Sequence, residues 1–141
     1  MKSRETLIRL RRFEVDEKRQ KVTDLETMIG DFERMATDLE RQIQVEQERA
    51  GVSDVNHFAY PTFAKAAIQR RDNLIASVDD LQAKLDMART ELTESYEELK
   101  KVELIEERDM ERARAVRLKA EQVELDDLGR MAHLSAVGQT R

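Results

Sequence analysis

The side chains that most often carry chemistry are sparse in this sequence. It has no cysteine, and its two histidines, His57 and His133, lie far apart with no ligand-type neighbour at helical spacing. We therefore expect His57 to be a turn residue and His133 to be exposed to solvent. The sequence predicts no metal site.

Four carboxylates near the end of the chain are the other chemical candidates, since paired carboxylates serve acid–base catalysis and bind hard metal ions. They are Glu121, Glu124, Asp126 and Asp127. On a long helix, such a run is typical of a solvated face with salt bridges. The sequence also lacks a glycine-rich phosphate loop and a nucleophile beside a base. We predict that the protein is not an enzyme and needs no cofactor.

The composition favours long helices. The 141 residues are 39% charged, 40% hydrophobic and 4% aromatic, with four glycines and one proline, whereas an average domain is about 25% charged. A disordered chain is the alternative, and the spacing of the apolar residues distinguishes it from long helices. We expect no membrane span and no secretory signal, because arginines interrupt the apolar residues of the N-terminus. The net charge of −5 argues against a general nucleic-acid-binding role.

Two runs of alternating three- and four-residue spacing predict the helices, and such spacing is the signature of a coiled coil. The first run is Ile8, Arg11, Val15, Lys18, Val22, Leu25, Ile29, Phe32, Ala36, Leu39, Ile43, Glu46 and Ala50. The second is Tyr60, Ala64, Ala67, Arg71, Leu74, Val78, Leu81, Leu85, Ala88, Leu92, Ser95, Leu99 and Val102, continuing through Glu106, Asp109, Ala113, Val116, Ala120 and Val123. We predict helix one over about 4–50, a turn over 51–60, helix two over about 61–134 and a frayed tail over 135–141.

Charge blocks predict how the helices pair. Residues 1–22 carry eight basic and four acidic side chains, and residues 91–109 carry eight acidic and three basic ones. An antiparallel hairpin sets these blocks side by side, whereas a parallel homodimer would stack like charges. We therefore predict an all-α fold, a single antiparallel coiled-coil hairpin. In the predicted register, Arg11 faces Glu106 and Lys18 lies near Leu99.

The second helix is the longer one, so its C-terminal end should overhang the start of helix one from about residue 112. The apolar stripe of this overhang contains Val116, Ala120 and Val123, with Leu125 and Leu128 beside it. An uncovered apolar stripe indicates a protein partner, with fraying or self-association as alternatives. At the other end, Tyr60 and Phe63 either staple the turn or contact a partner. The arginines at 9, 11 and 12 leave open a membrane-surface or nucleic-acid role, which the opposite acidic block disfavours.

Three segments resemble the flagellar export protein family FliJ. Residues 7–17 (LIRLRRFEVDE) are similar to the start of that family, where a Leu-x-x-Leu stretch with arginine leads into an acidic heptad helix. Residues 60–63 (YPTF) resemble its aromatic start of helix two, and residues 121–128 (EQVELDDL) resemble its Glu-Gln-x-x-Leu-Asp-Glu-Leu ending. The length and the longer second helix agree as well, so the resemblance covers nearly the whole chain.

The resemblance implies a cytoplasmic, non-enzymatic component of the flagellar type III export apparatus, located peripherally at the inner membrane at the flagellar base. Its implied partners are the hexameric export ATPase (FliI), which it stimulates as a stalk, the export gate protein FlhA, and export chaperones. No nucleic acid is implied, contact with the membrane is only indirect, and the chain alone is expected to be monomeric. The implied ATPase-facing residues are Leu7, Leu10, Arg11, Arg12, Arg117, Gln122, Leu125 and Asp126. The implied gate-contacting residues are Gln42, Val45, Arg49, Phe63 and Ala67, with Val45 and Arg49 in place of frequent aromatics.

The sequence is compatible with two other functions. The same hairpin could serve the ATPase of a virulence-type secretion system, which a neighbouring flagellar gene set would argue against. A generic coiled-coil adaptor that self-associates is the other alternative, which a measured mass of two or more chains per particle would favour.

Overall fold

Two helices make up almost the whole of the computed structural model, which describes residues 2–139. Helix α1 is Lys2–Ala50 and helix α2 is Thr62–Gln139. They form a hairpin with contacts along α1 and the first part of α2, so the predicted all-α hairpin with a longer second helix is confirmed. Helix α2 continues to Gln139, beyond the predicted end near 134, and the last two positions of the predicted frayed tail lie outside the described residues.

The seam between the helices follows the predicted spacing. A hydrophobic core cluster lies near the middle of the hairpin, and Phe32, Val78 and Leu92 pack against it. The buried members of the cluster are Val22, Leu25, Ile29, Leu81, Leu85 and Ala88. Because burying a side chain such as leucine or isoleucine contributes about 1.5–3 kcal/mol, this cluster is a major source of stability in the rod.

The bend owes its shape to local hydrogen bonds. Gly51 has a φ of 68°, a left-handed conformation that glycine adopts without steric cost, and its N–H donates to the carbonyl of Gln47 at 2.9 Å, which ends α1. In the turn itself, the Asp54 carboxylate accepts the N–H of Asn56 at 3.0 Å. Tyr60 is buried, and its hydroxyl accepts a hydrogen bond from Gln47 Nε2 at 2.8 Å. Of the two interpretations of Tyr60, the structure therefore supports the staple.

Ion pairs between the helices join the two charge blocks. Arg4 pairs with Glu106 at 3.2 Å and also with Asp109, and Lys18 pairs with Glu91 at 3.1 Å. These pairs confirm that the basic start of α1 lies against the acidic block of α2. The side-chain hydrogen bond and charge of Lys18, followed by the charge of Lys21, lower the pKa of Glu91 below its ordinary value, because both favour the ionised carboxylate.

The predicted register is wrong by about one heptad. Glu106 pairs with Arg4 instead of facing Arg11, and Arg11 pairs with Glu14 on its own helix at 3.1 Å. Likewise, Lys18 reaches Glu91 rather than lying near Leu99. The structural reason is the bend, in which Gly51 and Tyr60 fix where α1 ends and where α2 turns back.

Arg4, in the first turn of α1, pairs with Asp109 of α2, so the rest of α2 extends beyond the start of α1. Every side chain from 111 to 138 is exposed, and we call this segment the overhang. At 1.5 Å per residue it is about 42 Å long. Over the described residues, neither helix has a stretch long and apolar enough to cross a membrane.

Candidate interaction surfaces

The two ends of the rod carry the exposed groups that a partner could recognise. At one end, the start of α1 lies beside α2, and the overhang extends beyond it; we call this the open end. At the other end, the turn joins the helices; we call this the bend end. Both ends combine apolar and charged side chains, as protein-binding surfaces do.

A shallow groove at the open end runs between the helices. It brings Arg12 of α1 together with Arg114 and Arg117 of α2, beside apolar Ile8 and Met110. Its acidic lining is Glu103, Glu106, Glu107 and Glu111. The groove therefore presents both signs of charge around a small apolar floor, which suits contacts with a partner surface of mixed charge.

The residues that the resemblance assigned to the ATPase-facing end form two separate sets. Arg12 and Arg117 line the same groove, whereas Gln122 and Asp126 bond to each other on the overhang at 3.0 Å. Because Arg4 in the first turn of α1 pairs with Asp109, Leu125 lies about 24 Å beyond that turn along the helix axis. Leu7, Leu10, Gln122, Leu125 and Asp126 are all exposed, and Arg11 is half-buried.

The resemblance also assigned gate contacts to the bend end. Gln42, Val45 and Phe63 line one groove there, and a second groove combines Gln42 and Phe63 with Ala67. Val45 and Phe63 are exposed, and Ala67 is buried in the seam. Arg49 lies outside both linings and pairs with Glu46 at 3.4 Å. The fold thus brings four of the five assigned residues into adjoining grooves.

One prominent residue of the bend was not identified from the sequence. Phe58 is 97% exposed, and its ring stacks on the ring of His57 with centroids 4.6 Å apart. The Nδ1 atom of His57 in turn accepts the N–H of Ala59 at 3.0 Å. The signal for Phe58 was its position among turn residues, where no helix can cover an aromatic ring. His57 lies in the turn, as predicted.

A second feature that the sequence did not reveal is a groove along the side of the rod, between the core cluster and the bend, which we call the shoulder groove. It is lined on α1 by Ala36 and Glu40, and on α2 by Arg71, Ile75 and Val78. Arg71 pairs with Glu40 across the seam and with Asp72 at 3.1 Å. The hydrogen bond that Arg71 donates to Glu40, and to a lesser extent those it donates to Asp72, raise the pKa of Arg71 above its ordinary value. These pairs hold Arg71 in the register of the hairpin.

None of these surfaces has the geometry of a catalytic site. Among the residues that the structure describes, no three histidine, cysteine or acidic side chains converge on a point where a metal ion would fit. The late carboxylates lie along the exposed overhang, where Asp127 pairs with Arg130 and Asp126 bonds to Gln122. Such contacts are those of a solvated helix face.

A stiff helical rod with partner-type surfaces at both ends is typical of the stalks and adaptors of larger assemblies. Comparison with known protein families identifies the family within this class, because the family described as Flagellar FliJ protein matches residues 2–138. The chain belongs to the FliJ family. It is therefore a component of the flagellar export apparatus, in a family that is non-catalytic. Searches among curated proteins and among solved structures gave no match.

Proposed function

We propose that this chain is the coiled-coil stalk that binds and stimulates the hexameric export ATPase, and that it links this ATPase to the export gate and to export chaperones. The place of action would be the cytoplasmic face of the inner membrane at the flagellar base, reached through the apparatus and not by insertion into lipid. Membership of the FliJ family supports a role in export, and the shape of the molecule supports a stalk.

The observation that carries the proposal is the overhang. Beyond the start of α1, the rod narrows from two helices to one, about 10–12 Å across with side chains. This single helix is exposed along its whole described length from 111 to 138. A projection of that width and length suits entry into the central opening of a ring, where it would contact several subunits at once.

The charges of the open end suit a contact that can move between subunits. Exposed ion pairs each contribute at most about 1 kcal/mol. Arg12, Arg114 and Arg117 share a groove with several glutamates, so each ring subunit would find both signs of charge. Weak contacts of this kind hold the stalk without fixing it to one subunit.

The bend end would then contact the export gate protein FlhA, since it points away from the ring. The grooves around Gln42, Val45 and Phe63 offer an apolar floor with a charged rim. Phe58 projects from the same end. A rod with one partner at each end is a mechanical link between them.

The experiment that tests the proposal measures ATP turnover by the cognate export ATPase as the chain is added in increasing ratio. Turnover should rise and saturate below one chain per ATPase subunit, because one stalk serves a whole ring. Unchanged turnover, with both proteins shown to be folded by circular dichroism, would overturn the stalk proposal and favour a coiled-coil adaptor.

A further inference from the structure

We propose that two copies of this chain pair antiparallel through their overhangs. The pairing goes beyond the proposed function and needs no ATPase. It would give a weak dimer, which replaces the expectation of a monomer at concentrations above the dissociation constant. A dimeric mass is compatible with the stalk as well as with a self-associating adaptor, and the turnover of the ATPase distinguishes these two functions.

The seam of the hairpin continues onto the overhang, where no second helix covers it. Leu99 and Val102 are seam positions that α1 covers, and the same spacing continues at Ala113, Val116, Ala120 and Val123. These four side chains are exposed because α1 has ended, and Val116 is 70% exposed. The face is therefore built like the covered seam and lacks only a second helix.

The order of the charges along the overhang selects a second copy of the chain as that helix. Residues 112–119 contain four basic and no acidic side chains, and residues 121–127 contain four acidic and no basic ones. When two such helices lie antiparallel about their midpoint, each basic segment meets the acidic segment of the other copy. The overhang is thus complementary to itself.

Helix geometry gives the register of this pairing. If Ala120 of one copy packs against Val123 of the other, Arg117 flanks the seam near Glu124 of the second copy, and Lys119 flanks it near Asp126. Two-fold symmetry repeats both pairs, so four ion pairs border the central apolar layers. A parallel pairing on the same face would instead set Asp127 against Asp127 and Arg130 against Arg130, and is disfavoured.

The overhang is long enough for this arrangement. Arg4 pairs with Asp109, so α1 covers α2 only up to that level. In the proposed register, residue 133 of the second copy lies at the level of residue 110, just where α1 begins. About 36 Å of helix is therefore available in each copy. In this register Ala120 and Val123 form two apolar layers, whereas Val116 meets Asp127 and Ala113 meets Arg130 of the second copy, so the dimer is weak.

Pairing would also cover side chains that the proposed ATPase contact uses, Arg117 and Asp126 among them. A paired chain could not present its overhang to a ring, so the dimer would be a reserve form that the ATPase must separate.

The test is the mass of the full chain by sedimentation equilibrium from about 1 to about 100 µM, a range that spans weak association. We expect the mass to rise from the 16.5 kDa of one chain towards twice that value. The double variants Arg117→Glu with Lys119→Glu, and Glu124→Lys with Asp126→Lys, should each remain monomeric, and an equal mixture of the two should recover the dimer. A monomeric mass for the unchanged chain throughout, or no recovery in the mixture, would overturn the proposal.

A disulfide test fixes the direction of pairing, since the chain has no cysteine of its own. Ala120→Cys and Val123→Cys proteins, mixed and oxidised, should form a mixed disulfide. Ala113→Cys protein alone should not cross-link, because antiparallel pairing keeps the two copies of this position apart. Efficient cross-linking at 113 would contradict the antiparallel arrangement. All of these positions are exposed on the overhang, so the hairpin stays folded in every variant.

Discussion

Reversing Arg12 and Arg117 together to glutamate is expected to raise about thirtyfold the concentration of chain that half-maximally stimulates the export ATPase. Both arginines line the groove at the open end, one from each helix, so a partner there meets both. Each exposed ion pair contributes at most about 1 kcal/mol, and a reversed charge also repels the former partner, so the two changes together cost about 2 kcal/mol, which corresponds to about thirtyfold in affinity. The measurement is ATP turnover against the concentration of each variant.

Two matched controls separate this surface from the rest of the rod. Arg34→Glu reverses an exposed arginine about 33 Å from Arg12 along α1, and Phe63→Ala alters the bend end. Both should leave stimulation close to that of the unchanged chain. Arg12→Glu alone should lose about half of the binding free energy that the double variant loses. Because Arg12 lies outside the overhang, this single change does not affect dimer formation. Equal stimulation by the double variant and the unchanged chain would remove the open end as the ATPase contact.

Replacing Leu85 by alanine is expected to lower the free energy of unfolding by about 3 kcal/mol, within the range seen when a buried leucine is truncated. Leu85 is 3% exposed and packs in the core cluster with Val22, Leu25 and Ile29. The part of the seam near the open end cannot make up for this loss of stability, because it contains charged positions. The Nε atom of Arg11 is also buried there without a hydrogen-bond partner. For a chain of this size, the midpoint of thermal unfolding should fall by about 10 °C.

The control for this prediction lies two residues away. Met87 is 66% exposed, so Met87→Ala should change the free energy of unfolding by no more than about 0.5 kcal/mol. Thermal and urea unfolding followed by circular dichroism would measure both variants. Equal losses for Leu85→Ala and Met87→Ala would contradict the assignment of the core, because they would mean that the seam does not run through Leu85.

The seam could be predicted from the sequence because its period is local information. Val15, Ile29, Leu81 and Leu99 were each placed on the seam by spacing alone, and each is buried. The orientation of the helices was also predictable, since the charge blocks at the start of α1 and in α2 have opposite signs. Both inferences depend on sums over many residues, so single errors do not overturn them.

The register was not predictable in the same way. A heptad pattern repeats every seven residues, so sliding one helix by a heptad again sets seam positions against seam positions. Glu106 therefore fits opposite Arg11 in one register and opposite Arg4 in the other, and only the latter is formed. The choice depends on the bend, where the left-handed Gly51 and the hydrogen bond between Gln47 and Tyr60 set the end of α1. Those contacts follow from three-dimensional geometry that composition does not encode.

The interaction surfaces were predictable only in part, for a related reason. The motif resemblance selected Arg12 and Arg117, which the fold brings into one groove. It also grouped Leu7 with Leu125, although these lie at different levels of the rod, because a motif carries no axial distance. The exposure of Phe58 and the shape of the shoulder groove around Ala36 and Ile75 are set by how the neighbouring residues pack. Both features can therefore be identified only in the folded hairpin.

The stalk function is tested most directly by the mass of the complex between this chain and the assembled export ATPase, measured by native mass spectrometry. One chain per hexameric ring is the result that the stalk proposal predicts, since one overhang entering the central opening would exclude a second. A chain bound to every ATPase subunit, or rings that carry no chain under conditions where turnover is stimulated, would contradict the stalk.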